Sequence, residues 1–218
     1  MLTALLGGTF DPIHYGHLRP AISLANEIGL KQIRLLPNHI PPHKPQPEAN
    51  TEQRLAMLSL AIEDLPLFAL DVSEILPETS TRPSYTIETL QAWRRKHGNQ
   101  NPLAFIMGQD SLLGLPTWHK WQTLLNYCHL LICRRPGYAD KTDNATLQQW
   151  VDTHQTTNVK NLHDSPYGYI YLAQTPLENI SATEIRQNIN NSQSCKNLLP
   201  PKVWQYIHTQ GLYGTKKK

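Results

Sequence analysis

Apolar residues along this chain fall into two kinds of stretch, and their alternation predicts the architecture. Short, largely apolar runs stand at 2–6, 32–37, 67–72, 103–108, 129–134 and 169–173. Each is bounded by glycine, proline or polar residues and is shorter than an ordinary helix, so each predicts a buried strand. Between the runs, apolar positions recur at three- and four-residue spacing. Leu18, Ala21, Ile22, Ala25 and Ile28 predict a helix from His17, with Gly29 as its stop. Pro20 then reads as a first-turn residue whose missing N–H does little harm. Leu55, Leu58 and Ile62 predict a helix capped by Asn50 or Thr51, and Ile87, Leu90 and Trp93 one over 84–98 that Gly98 closes. Two more are expected near 181–190 and 200–210.

Strands buried on both faces and alternating with helices predict an α/β fold, a doubly wound parallel sheet covered on both sides. The segment "NHIPPHKPQPEAN" is too rich in proline for regular structure and reads as a loop. Residues 136–167 are polar and weakly periodic. They read as an insertion, with a short helix near Ala145 to Val151. Residues 1–218 are expected to form a single domain whose C-terminal part, 181–218, is helical. Trp93, on the apolar helix face, reads as core.

Composition narrows the class. With 39% hydrophobic and 17% charged residues, the chain reads as globular. A net charge of +3 suits anionic small molecules and is too weak to predict a nucleic-acid partner. Lys216, Lys217 and Lys218 read as a solvated tail. Cys128, Cys133 and Cys195 form no CxxC pair and leave an odd thiol, which predicts neither a disulfide framework nor a zinc site and fits a reducing, cytoplasmic setting. No stretch has the form of a leader or the length of a membrane span, so no membrane partner is expected. Homo-oligomer formation is left open.

Chemistry concentrates in "GGTFDPIHYGH", residues 7–17, where the first strand hands over to the first helix. That turn is the favoured phosphate site of such folds. Gly7 and Gly8 would let a nucleotide approach the backbone, and the helix start offers N–H groups and a positive dipole end. His14 and His17, three apart, would project from one side and stabilise charge on a phosphoryl group in transfer. A glycine pair after a strand is also a common plain turn, and HxxH can bind a metal. No thiol or carboxylate cluster supplies further ligands, however, and neither GxGxxG nor a Walker loop is present. In "NISATEIR" (179–186), Ser181 and Glu184 form the capping-box pattern that begins a helix. Ser181, Thr183 and free N–H groups would face a phosphate, with Arg186 one turn in, able to fork onto phosphate oxygens. On its own this is more often the pattern of a plain capped surface helix with a solvated arginine.

The two motifs, in this order, resemble the signatures of the nucleotidyltransferase superfamily with T/HxGH and ISxTxxR motifs. "PNHIPPHKPQ", "RPSYTIETL", "GQDS", "PTW" and "CRRPG" between them are similar to the bacterial nicotinate-mononucleotide adenylyltransferases. The resemblance implies a Rossmann-like fold and transfer of the adenylyl group from ATP to nicotinate mononucleotide. It implies catalytic roles for His14, His17 and Arg186, and ATP or phosphate contacts from Gly7, Gly8, Thr9, Phe10, Lys44, Gly108, Asp110, Arg134, Ile180, Ser181 and Thr183. Asn38, Tyr85, Thr86 and Trp118 would hold the nicotinate nucleotide, and Mg²⁺ would ride on the substrate phosphates with no protein ligand. A pantetheine-phosphate adenylyltransferase or a cytidylyltransferase would share both signatures. A class I aminoacyl-tRNA synthetase would need an anticodon-binding domain and a KMSKS loop that are not here. A nucleotide-sensing module with a dead site is the reading from another class. His39, His119 and Tyr127 carry no assignment.

Overall fold

The computed structural model describes residues 1–38, 46–75, 85–134, 137 and 141–215. Along the chain run β1 (Thr3–Gly8), α1 (Tyr15–Ile28), β2 (Ile33–Pro37), α2 (Thr51–Ile62), β3 (Phe68–Leu70) and α3 (Thr86–His97). Then follow β4 (Leu103–Gly108), α4 (Gln109–Leu113), β5 (His129–Cys133), α5 (Ala145–His154), α6 (Val159–Asp164), β6 (Ile170–Leu172), α7 (Ala182–Asn190) and α8 (Pro201–Gln210). Short 3₁₀ turns occur at Leu115–Thr117, Trp121–Asn126 and Leu212–Gly214. The strands form one parallel sheet in the order β3-β2-β1-β4-β5-β6. This is the Rossmann-like order, with its reversal between β1 and β4.

Alternation along the strands builds two cores. Ala4, Leu6, Ala104, Ile106, Leu131 and Cys133 face one side with Leu18, Leu24 and Ile28 of α1, Met57 and Leu58 of α2, and Ile185 and Val203 of α7 and α8. Leu5, Phe105, Met107, Leu130 and Ile132 face the other with Ile87 and Leu90 of α3 and Leu147 and Val151 of α5. Both faces are therefore covered, as the largely apolar runs require.

Caps set the helix ends. Gly29 closes α1 at φ 71°, a left-handed conformation that glycine adopts without penalty. Asn50 and Gln53 exchange hydrogen bonds of 2.9 Å in a full capping box at α2. Helix α1 begins at Tyr15, two residues before the predicted start, which makes Pro20 its sixth residue. Pro20 thus lies inside the helix, where an ordinary residue would donate to the Gly16 carbonyl.

The 136–167 segment is not an insertion in its described part. A parallel β5–β6 pair needs a crossover, and α5 and α6 supply it. Leu162 of α6 is fully buried, and the His163 ring lies 2.8 Å from the Ile28 carbonyl. Among the described residues, no helix is long and apolar enough to cross a membrane.

Candidate active site

A cavity of about 560 Å³ opens at the carboxyl ends of β1 and β4, at the point where the strand order reverses. Gly7, Gly8, Thr9, Phe10 and Asp11 line it from the turn after β1, and Met107, Gly108, Asp110 and Ser111 from the end of β4 and α4. Tyr85 and Thr86 come from the start of α3, Trp118 and His119 from the turn after α4. Gly16, His17, Pro20 and Ala21 of α1 and Ala182, Thr183 and Arg186 of α7 complete the phosphate-motif side. Asn38 and Arg134 also line the cavity.

Both glycines line the cavity, and neighbouring rings leave little room for a side chain at either. A Cβ on Gly7 would stand 2.7 Å from the Phe105 ring, and one on Gly8 would stand 2.9 Å from the Phe10 ring. Close packing of these two buried rings is a second reason for glycine here, beside the close backbone approach that the sequence suggests. Phe10 holds φ 51°, unusual for a residue with a Cβ, and its ring meets His17 edge-on at 5.1 Å.

The His14 and His17 rings stack at 3.7 Å between centroids. His17 lines the cavity, whereas His14 is buried and is not part of the lining. A Cβ on Gly16 would come within 2.9 Å of both His14 Nδ1 and the Ile180 carbonyl, so glycine lets both pack against the start of α1. Ile180 is itself buried and does not line the cavity. Ser181 does not line it either. Its hydroxyl accepts from the Glu184 N–H at 3.1 Å and caps α7. Ala182, Thr183 and Arg186 line the cavity from this motif.

Arg186 is already partly engaged. Its Nε donates to Glu48 Oε1 at 2.7 Å and its Nη1 to the Asp11 backbone carbonyl at 2.8 Å. Arg186 nevertheless lines the cavity, and neither of these two bonds uses its Nη2. Thr9 is held from two sides: Arg54 Nη1 donates to its carbonyl at 2.8 Å, and Asn38 Nδ2 reaches its hydroxyl at 3.4 Å. The Arg54 guanidinium is 1% exposed, and burial lowers its pKa against the opposing pull of Asp11. Tyr85 and His119 contact through their rings at 5.0 Å. Arg134 N–H donates to Thr175 Oγ1 at 3.1 Å. Lys44 lies outside the described residues.

Asp11, Glu48, Arg54, Phe105, Glu74, His119 and Glu178 belong to or support this cavity without having been assigned to it from the sequence. Asp11 stands inside the quoted motif, which was the available signal. Arg54 had one too, since it shares a helix face with Leu58, one turn on. Nothing in the local pattern marks Glu74 or Glu178.

The fold and this site define a nucleotidyltransferase, and residues 5–188 match the model of the cytidylyltransferase-like family. A protein of Serratia proteamaculans named "Probable nicotinate-nucleotide adenylyltransferase" is 59% identical over 213 residues, covering 98% of this chain and 96% of its own. One of the same name from Yersinia pestis is 56% identical over 212 residues, with 97% and 95% coverage. The chain belongs to this family, in its nicotinate-nucleotide adenylyltransferase branch. In fold it is similar to the Plasmodium falciparum nicotinic acid mononucleotide adenylyltransferase solved with NaAD, with a TM-score of 0.73 at 18% identity and 99% and 98% of the two chains covered.

Proposed function

We propose that this protein transfers the adenylyl group of ATP to nicotinate mononucleotide, giving nicotinate adenine dinucleotide and pyrophosphate in NAD biosynthesis. An oxygen of the mononucleotide's 5′-phosphate attacks the α-phosphorus in line. The new P–O bond forms as the bond to the β-phosphate bridge breaks, and that electron pair leaves with pyrophosphate. The attacking oxygen is already ionised, so no enzyme nucleophile or covalent intermediate is needed. Catalysis is positioning and charge stabilisation.

In this scheme His17 meets the α-phosphate, with His14 stacked behind it. Thr9, Thr183 and the free edge of Arg186 hold phosphate oxygens, with Lys44 as a further candidate. Asp110 and the turn at Gly108 are suited to ribose hydroxyls, and Arg134 to the nucleotide near the end of β5. Tyr85 and Trp118 offer aromatic faces to the pyridine ring, Asn38 a polar contact nearby. The first N–H groups of α3, at Thr86, would donate to the nicotinate carboxylate. The described residues hold no group of three His, Cys, Asp or Glu side chains suited to a metal. Mg²⁺ enters only as a counterion carried on the triphosphate, and no step is assigned to it.

The observation that carries this reading is the meeting of His17 with Thr183 and Arg186, from motifs 166 or more residues apart, in one cavity with Tyr85 and Trp118. The test is an acceptor panel with ATP and Mg²⁺, scored by pyrophosphate release and by chromatography of the dinucleotide. Nicotinate mononucleotide is expected to be the best acceptor. Turnover only with pantetheine phosphate, or with no acceptor at all, would overturn the proposal.

A further inference from the structure

Four segments far apart in sequence meet around one carboxylate behind the phosphate-motif side of the cavity. Asp11 is 4% exposed. Its Oδ2 accepts from the Glu48 N–H at 2.8 Å, and its Oδ1 accepts from the Ala49 N–H at 3.1 Å and from the Tyr213 hydroxyl at 2.6 Å. Tyr213 comes from the 3₁₀ turn after α8 and is itself buried. Arg186 grips the same assembly through the Asp11 carbonyl and Glu48, with its Nη1 3.9 Å from Asp11 Oδ2. On the other side Arg54 holds the Thr9 carbonyl.

We propose that Tyr213 is a positioning residue for the triphosphate, holding Asp11 so that Arg186 keeps an edge free for phosphate oxygens. This inference rests on the adenylyl-transfer reading given above. The hydroxyl occupies Oδ1, which leaves Oδ2 to the Glu48 N–H and keeps it beyond hydrogen-bond distance of Arg186. Deprived of that hydroxyl, the carboxylate turns toward the nearest cation, and a direct Asp11–Arg186 pair takes up the N–H groups that phosphate would use. The phenol is a dependable donor, because burial, and then the neighbouring Asp11 charge, push its pKa far up and keep the proton on oxygen. The backbone also bends to place it: Tyr213 holds φ 56° and ψ 33°, a left-handed conformation disfavoured for a residue with a Cβ. The elements that carry Tyr85 and Trp118 make none of these contacts, so the effect falls on ATP and spares the mononucleotide.

The experiment is Tyr213→Phe in the full chain, with steady-state kinetics for each substrate and calorimetric titration of ATP alone. The expected result is a rise of about three- to tenfold in KM and Kd for ATP, the range of one hydrogen bond, with the mononucleotide KM within twofold of the parent. In an Arg186→Lys background the same change is expected to alter the ATP Kd less than twofold, since the residue acts through Arg186. Leu212→Ala, which loosens the same turn but leaves the hydroxyl, serves as the stability control. Parental ATP affinity in Tyr213→Phe, additive effects with Arg186→Lys, or an equal ATP defect in Leu212→Ala would each overturn the proposal. Absence of adenylyl transfer in the parent would refute the reaction instead, and ATP titration still reads the Tyr213 effect.

Discussion

His129 offers a test of how burial and hydrogen bonding set acid stability. It begins β5 and is 0% exposed. Its Nε2 lies 2.9 Å from the Ser165 carbonyl and its Nδ1 accepts from the Tyr169 N–H at 3.1 Å. A carbonyl can only accept and an N–H can only donate, so the ring must be the neutral Nε2–H tautomer. A proton on Nδ1 would point at another donor. Burial is the main cause that lowers the His129 pKa from 6.5 to about 4, helped by the nearby Arg94 charge and opposed by the Ser165 bond. The folded state therefore binds fewer protons than the unfolded state between these values, and stability rises with pH across that window. The contribution is complete above pH 6.5 and is lost as pH falls toward 4. At about 1.4 kcal/mol per pH unit, roughly 2 kcal/mol is gone by pH 5 and about 3 kcal/mol in all. The assay is urea unfolding followed by tryptophan fluorescence at pH 7, 6 and 5, comparing the parent with His129→Leu. Leucine strands two backbone groups and should cost about 2–5 kcal/mol at pH 7. It cannot be protonated, so that deficit should shrink by about 2 kcal/mol at pH 5. A deficit that stays constant with pH refutes the reasoning.

Gly7→Ala should destabilise the protein by about 1–3 kcal/mol, because its Cβ meets the Phe105 ring at 2.7 Å; the midpoint of thermal unfolding reads this, and Phe105→Leu should recover part of it. His17→Ala should lower kcat by about 10²-fold with ATP binding nearly unchanged, as single-turnover rates and ATP titration would measure. Nicotinate mononucleotide should be preferred over its amide by at least ~10²-fold in kcat/KM, since an amide turns a donor toward the α3 N–H groups. Trp118→Ala should raise the mononucleotide KM far more than that of ATP in the same assay.

The sheet was legible because its strands are largely buried and so read as short, mostly apolar runs, with Arg34 of β2 an exception. All six lie within the predicted spans or within two residues of them. Short elements were not legible: α4 and α6 are too brief for a period to emerge, and α6 buries Leu162 from an otherwise polar segment. On the helix faces Leu58, Ile87 and Leu90 are buried as predicted, but two buried arginines went unforeseen. In α2 the buried residues are Arg54, Met57, Leu58 and Ala61, and in α3 they are Ile87, Leu90 and Arg94, while Trp93 is only half-buried against His97 and Arg34. Both arginines occupy core positions with backbone carbonyls as partners, the Thr9 carbonyl for Arg54 Nη1 at 2.8 Å. Arg94 donates to Tyr127 at 2.8 Å, Asn101 at 2.7 Å and Pro166 at 2.7 Å. Acceptors of this kind come from distant loops and leave no local trace. The site followed the same rule: motif residues stood out, whereas Tyr213 could be found only through its partner.

That partnership also bears on the order in which the molecule is assembled. Asp11 and Tyr213 are 202 positions apart, so their hydrogen bond can close only after the sheet has brought both ends of the chain together. Contacts at such separation are late and slow to form compared with local turns. The turn after β1 therefore gains its last hydrogen bond only when the turn carrying Tyr213 docks on Asp11. We expect hydrogen exchange during refolding to protect the amides of Glu48 and Ala49, which Asp11 holds, after those of β1 and β4. Binding competence would then be acquired last, as a property of the whole chain.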